Sequence, residues 1–205
     1  MRPKSWSYTP ADDDTDGFGN DLVGTSGVAF VLTATTAADS LAHKVIITPS
    51  GSVTGNYSIT GTDADGRTQT ETLATDTTNA VTSAKYYKTL TSILAPSGIG
   101  AETVDIGWTD DIVTPTILLN HKQADFKVRF NVIITGTIDY SVQQTLSEIR
   151  SGDSAYSTWN WLSHGSVVAK TTSQEGYFAV PVTAMRVLIN SLTTGATFKI
   201  LLVQE

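Results

Sequence analysis

Hydrophobic and polar residues alternate with period two over most of this chain, the spacing of half-buried strands. Only Leu146-Ser147-Glu148-Ile149-Arg150 offers a short helical turn. The clearest alternation runs over 57–73, two Thr-rich stretches joined at Asp65-Gly66. These two residues readily take positive φ, so a type I′ hairpin is expected there. Further strands are expected over 28–33, 44–48, 86–93 and 103–108. Asp39-Ser40, Pro49-Ser50-Gly51 and Pro96-Ser97-Gly98 punctuate them. Such regular spacing of short strands predicts a β-sandwich.

A second series follows. Phe126, Val128, Phe130 and Val132 share one face of a strand over 126–134. The stretch 137–145 is expected to pair with it through Thr135-Gly136. Strands over 184–190 and 196–203 flank Thr194-Gly195 as a closing hairpin. Ile59-Thr60-Gly61-Thr62 and Ile134-Thr135-Gly136-Thr137 echo each other, too briefly to establish duplication. Asp110, Asp111 and Pro115 mark the boundary between the two series.

Residues 1–27 show neither period. Trp6, Tyr8 and Phe18 are separated there by Pro3, Pro10 and Gly-rich polar stretches. Such a segment cannot build its own core, yet burying each large apolar side chain is worth ~1.5–3 kcal/mol. It is either a disordered terminus or an extended arm that buries its aromatics on another subunit or on the chain's own second module. The expected architecture is all-β: an N-terminal arm (1–27), a first β-sandwich module (28–109), a linker (110–120) and a second module (121–205).

Composition narrows the function classes. Charged residues are 16% of the 205, against a usual ~25%, and Thr is the commonest residue. Few charges leave sheet edges poorly guarded, which favours edges covered by neighbouring subunits. The net charge is −7, carried by residues 1–120 with 6 basic against 14 acidic groups. That balance argues against a nucleic-acid partner, since phosphate contacts need Lys and Arg. No run approaches the ~18 apolar residues of a membrane span. Met1-Arg2-Pro3-Lys4 is not followed by an apolar stretch, so no signal peptide is expected. There is no cysteine, which is compatible with assembly in the cytosol.

Candidate chemistry is sparse. Asp12-Asp13-Asp14-Thr15-Asp16-Gly17 matches the first half of a calcium loop, but the twelfth position is Val23 instead of a bidentate Glu. A solvated acidic turn is the simpler reading. His43, His121 and His164 show no metal-ligand spacing. Ser166 lies two residues from His164 without a nucleophile-elbow motif, so a surface loop is expected. No enzyme, metal or cofactor is expected. Trp159 and Trp161 fall on one side of a strand, where they either stack on sugar rings or fill a core or interface. Trp6, Tyr8, Phe18, Trp108, Trp159 and Trp161 are therefore the candidate interaction residues.

The stretch 59–72, followed by Tyr87-Lys88-Thr89-Leu90-Thr91-Ser92-Ile93, resembles structural proteins of tailed bacteriophages. So do 136–145, Ser157-Thr158-Trp159, the stretch 181–187 and the terminal Leu202-Val203-Gln204. The resemblance covers about residues 45–205. It implies a virion component, with the major capsid protein or other virion subunits as partners. A capsid decoration or cement protein is expected first. A head–tail or tail accessory protein and a carbohydrate-binding module of a virion fibre are the alternatives. For a decoration protein at threefold positions of the shell, a homotrimer is the natural form.

Overall fold

The computed structural model describes residues 3–123, 125–147 and 159–204. Among these the chain is all-β, with antiparallel strands arranged as sandwiches and no helix. The turn expected over 146–150 lies mostly outside the described residues. Two compact units divide the chain, one of Asp13–Ile112 and one of Met1–Asp12 with Val113–Glu205.

The first unit faces a three-stranded sheet against a second layer. The three strands lie in the order β5 (Thr68–Ala74), β4 (Asn56–Thr62), β7 (Thr89–Leu94). The other layer holds β2 (Asp14–Val23), β8 (Thr103–Val113), β3 (Ala42–Pro49) and β6 (Val81–Tyr87), in that order. Alternation decides the faces: Val45 and Ile47 on β3, Tyr57 and Ile59 on β4, and Val104 and Ile106 on β8 all enter one core. Phe18 joins them and meets Trp108 edge-to-face, with ring centroids 4.9 Å apart.

Three expectations change here. The 57–73 hairpin forms, but Thr62 pairs with Thr68, leaving five residues in the loop. Gly66 alone has positive φ (81°), and its N–H bonds to Asp63 O while Asp63 N bonds to Arg67 O. That pattern is a turn ending in a left-handed residue, not type I′. The stretch 86–93 is not one strand. It breaks at Lys88, so β6 pairs with β3 and β7 with β4 in the facing sheet. The stretch 28–33 makes only an isolated bridge from Ala29 to Leu94. Phe30 is buried there, while Val28 and Val31 are exposed.

Edges β5 and β6 are closed by side chains. Glu71 accepts the backbone N–H of Ala84 (2.7 Å) and of Lys85 (3.1 Å). Gln69 Nε2 donates to Tyr86 O, and Lys85 Nζ to Thr70 O. The carboxylate thus occupies N–H groups that another strand would need. Burial and the neighbouring Glu71 charge both push the Tyr87 phenol well above its ordinary range. Replacing Glu71 with Ala should cost about 1–3 kcal/mol in urea unfolding, because two N–H groups lose their acceptor. An unchanged midpoint would show the edge needs no such bridge.

The second unit also has two layers. One is β1 (Lys4–Tyr8), β15 (Thr197–Gln204), β10 (Val128–Thr135) and β13 (Gln174–Phe178). The other is β12 (Leu162–Ser163), β11 (Ile138–Thr145) and β14 (Ala184–Leu192), with β9 (Ile117–Leu118) also on β14. Neither Thr135-Gly136 nor Thr194-Gly195 closes a hairpin. β10 pairs with β15 and β11 with β14, so both turns carry the chain from one sheet to the other. The two arches lie together: Thr193 N donates to Thr137 O, and Thr137 N to Thr193 Oγ1. Phe130, Val132, Tyr140, Val187 and Ile200 are buried between the layers.

Among the described residues, 3–27 are not a detached arm: β1 pairs with β15 of the second module. The first aromatics of that segment lie in β1 and the third in the core of the Asp13–Ile112 unit. The strand β8 runs into the segment expected as a linker, and Ile112, Val113 and Thr114 are buried. The division between the two units, at Ile112/Val113, falls inside that segment.

Candidate interaction surface

β1 is an edge strand of five residues. Its register on β15 sets Lys4 beside Leu202, Trp6 beside Ile200 and Tyr8 beside Phe198. Residues directly opposed in a sheet point to the same face. Ile200, Leu202 and Phe198 are buried, so Lys4, Trp6 and Tyr8 also face inward. Yet Trp6 and Tyr8 are only half-buried and Lys4 is exposed. At this side of the sandwich the inner face of the sheet is incompletely covered.

The uncovered strip is a groove of about 700 Å³. Trp6 and Tyr8 form one wall with Leu202, and Ile117, Leu118 and Gln204 line the rest. Leu118 is 62% exposed, which matters because it points its apolar side chain where no chain segment covers it. Tyr8 stacks on Phe198 at 4.8 Å, and burial raises its phenol pKa. Asn120 N donates to Gln204 Oε1 (3.0 Å) and Gln204 Nε2 to Asn120 O (2.8 Å). This paired contact fixes the segment after β9 to the end of β15. Thr194 Oγ1 donates to Asp12, tying the end of the N-terminal segment to the same unit.

The six candidate residues are not brought together. Phe18 and Trp108 are core residues at 1% and 6% exposure, with little surface left to bury on another chain. Trp159 is buried too. Trp161 is half-buried, its ring 6.4 Å from that of Trp159 at 63°. The Arg186 guanidinium lies 4.2 Å from the Trp161 ring centroid and donates from Nε to Gln143. This corner offers no pair of open, coplanar ring faces. Of the six, Trp6 and Tyr8 line the groove described above. Ile117, Leu118 and Gln204 were not expected in it, although Ile117-Leu118-Leu119 is an apolar run inside the supposed linker.

Comparison with protein-family models, with curated proteins and with solved structures gives no match. Function rests on the geometry of the chain itself.

Several titratable groups among the described residues bond to the backbone or to each other. His164 Nε2 donates to Tyr177 O (3.1 Å), while Nδ1 faces Ser166 N (3.4 Å) and Ser166 Oγ (3.3 Å). Ser166 and His164 therefore touch, and the ring's other nitrogen meets a backbone carbonyl rather than a carboxylate among the described residues. His43 is fully buried between Asp39 and Thr109 O. Among the described residues no three metal-binding side chains converge. In the acidic stretch, Asp14 accepts Asp16 N, Asp16 accepts the Asn20 amide, and Asp12 belongs to the other unit.

Asp63 caps the hairpin loop, its Oδ1 accepting Asp65 N and Arg67 N at 2.9 Å each. Oδ2 has the Arg67 guanidinium only at 4.0 Å. Burial raises its pKa above the ordinary 3.8, overriding the two N–H donors, which lower it. The folded chain then holds this proton more tightly than the unfolded chain. Its stabilising effect is complete below pH 3.8 and is lost as the pH rises through the higher folded value. Asp63→Asn keeps an acceptor for both N–H groups and should remove that decline. Urea midpoints measured from pH 3 upward in both proteins test this; parallel profiles would refute it.

Proposed function

We propose that this chain is a non-enzymatic structural protein of a tailed-bacteriophage particle, acting as a capsid decoration or cement protein that holds neighbouring subunits together. The observation that carries the reading is the open β1 side of the second unit. There an edge strand presents backbone to solvent and two aromatics are left half out of water beside a groove of about 700 Å³. A strand or apolar segment of another subunit would complete that side, as strand addition does elsewhere. The resemblance to phage structural proteins supplies the setting. The low charge and Thr-rich sheets agree with surfaces that are covered on assembly.

A head–tail or tail accessory role uses the same surface and differs only in the partner. A glycan-binding role is less favoured, because Trp159 is buried and Trp161 lies under Arg186. The test is co-assembly with the major capsid protein encoded by the same genome. The chain should sediment with shells at a fixed ratio, and shells carrying it should withstand heat better. Failure to sediment with shells, together with binding to purified tails, would replace cementing by the tail reading.

A further inference from the structure

We propose that β1 pairs, antiparallel and edge to edge, with β1 of a second copy of this chain, about a two-fold axis passing beside Trp6. The inference rests on reading the β1 groove as an association surface and names its occupant. Four observations converge on it. In the sheet order β1 has a neighbour on one side only, β15. Its inward side chains Trp6 and Tyr8 are half-exposed while their cross-strand partners Ile200 and Phe198 are buried. The groove beside them is mostly apolar, with Leu118 open at its rim and Asn120, Gln123 and Gln204 among its polar lining. Finally, Lys4-Ser5-Trp6-Ser7-Tyr8 is complementary to itself when reversed about Trp6.

That register sets Trp6 against Trp6 of the second copy, Ser5 against Ser7, and Lys4 against Tyr8. Lys4 is the only charge on the strand, and it then meets an aromatic ring rather than another ammonium. A parallel in-register pairing would instead oppose two lysines, which is unfavourable. A two-fold axis normal to the sheet keeps the inner faces of both copies on one side. Each Trp6 then lies next to the other's groove, where Leu118 and Tyr8 cover it. Two other places are less suited: side chains close β5 against β6, and β12 has two residues.

Such a pairing is isologous and gives dimers, whereas a trimer needs a head-to-tail contact. The chain has no cysteine, so introduced ones report alone. Ser5 and Ser7 are exposed. They oppose each other across the proposed interface, while Ser5 and its own copy are too far apart to bridge. Differently tagged Ser5→Cys and Ser7→Cys proteins are mixed, oxidised and run without reductant. The mixture is expected to form a heterodimeric disulfide several-fold faster than either variant alone. Native mass measurement of the unmodified protein should give twice 21.8 kDa. Trp6→Glu should give the monomer with an unchanged circular-dichroism spectrum.

A protein monomeric at every concentration, a trimer, or cross-linking no faster in the mixture would each overturn the proposal. A monomer that still sediments with shells would sink this inference and leave the structural role standing. A cross-linked dimer that ignores shells would do the reverse.

Discussion

Replacing Asp39 with Ala is expected to cost the Asp13–Ile112 unit about 2–3 kcal/mol, the penalty for leaving a buried polar ring without its partner. His43 has no exposed surface, and the Asp39 side chain is 4% exposed. The ring's Nε2 lies 3.0 and 3.1 Å from the two Asp39 oxygens, and its Nδ1 lies 2.8 Å from Thr109 O. Thr109 O accepts from Nδ1, and the Asp39 carboxyl meets Nε2, so both ring nitrogens have a polar partner. Asp39 Oδ1 also accepts Leu41 N at 2.8 Å, and that bond is lost as well. The double variant Asp39→Ala/His43→Leu should be less damaged than Asp39→Ala, since no polar ring is then left buried without its partner. Urea unfolding of the three proteins decides the matter. A loss below about 1 kcal/mol for Asp39→Ala would mean that the pair is ornamental.

Gly107→Ala should be comparably severe, about 3 kcal/mol, at the upper end of overpacking costs. A Cβ at this position would run into the main chain of Asp14 and Thr15, where β2 crosses β8. Main-chain atoms cannot rotate aside as the tip of a side chain does, so β2 has to lift. Phe18 would leave the core with it, and Trp108 would lose its edge-to-face neighbour. Loss of hydrogen-exchange protection along β2, together with a lower melting temperature, is the expected signature. Full protection of β2 in the variant would show that the two strands are not held so closely.

Period-two alternation made the individual strands legible. The faces of β3, β4, β8 and β10 follow directly from Val45, Ile59, Ile106 and Phe130 and their neighbours. It does not say which strand lies alongside. Thr135-Gly136 and Thr194-Gly195 each look like hairpin turns, because a glycine at positive φ serves a hairpin and a sheet-to-sheet arch equally well. The corner at Lys88 was hidden for another reason: no Gly or Pro marks it in Tyr86-Tyr87-Lys88-Thr89-Leu90, while the pairing partner changes from β3 to β4. Phe18 could not be tied to a strand because Gly17 and Gly19 interrupt any period around it, and its burial in the first unit depends on the distant Trp108. Trp6 and Tyr8, two residues apart, did carry the signal of a shared face. The groove did not, because it is formed with Ile117 and Gln204, more than a hundred residues away.

The most direct measurement of the structural role is an image of the whole particle, at a resolution that traces strands, with this chain located in the density. The account predicts copies on the outside of the shell, each touching at least two neighbouring subunits, with the β1 groove covered. Absence of the chain from the particle, or copies that touch a single subunit and leave Trp6 and Tyr8 in solvent, would contradict it.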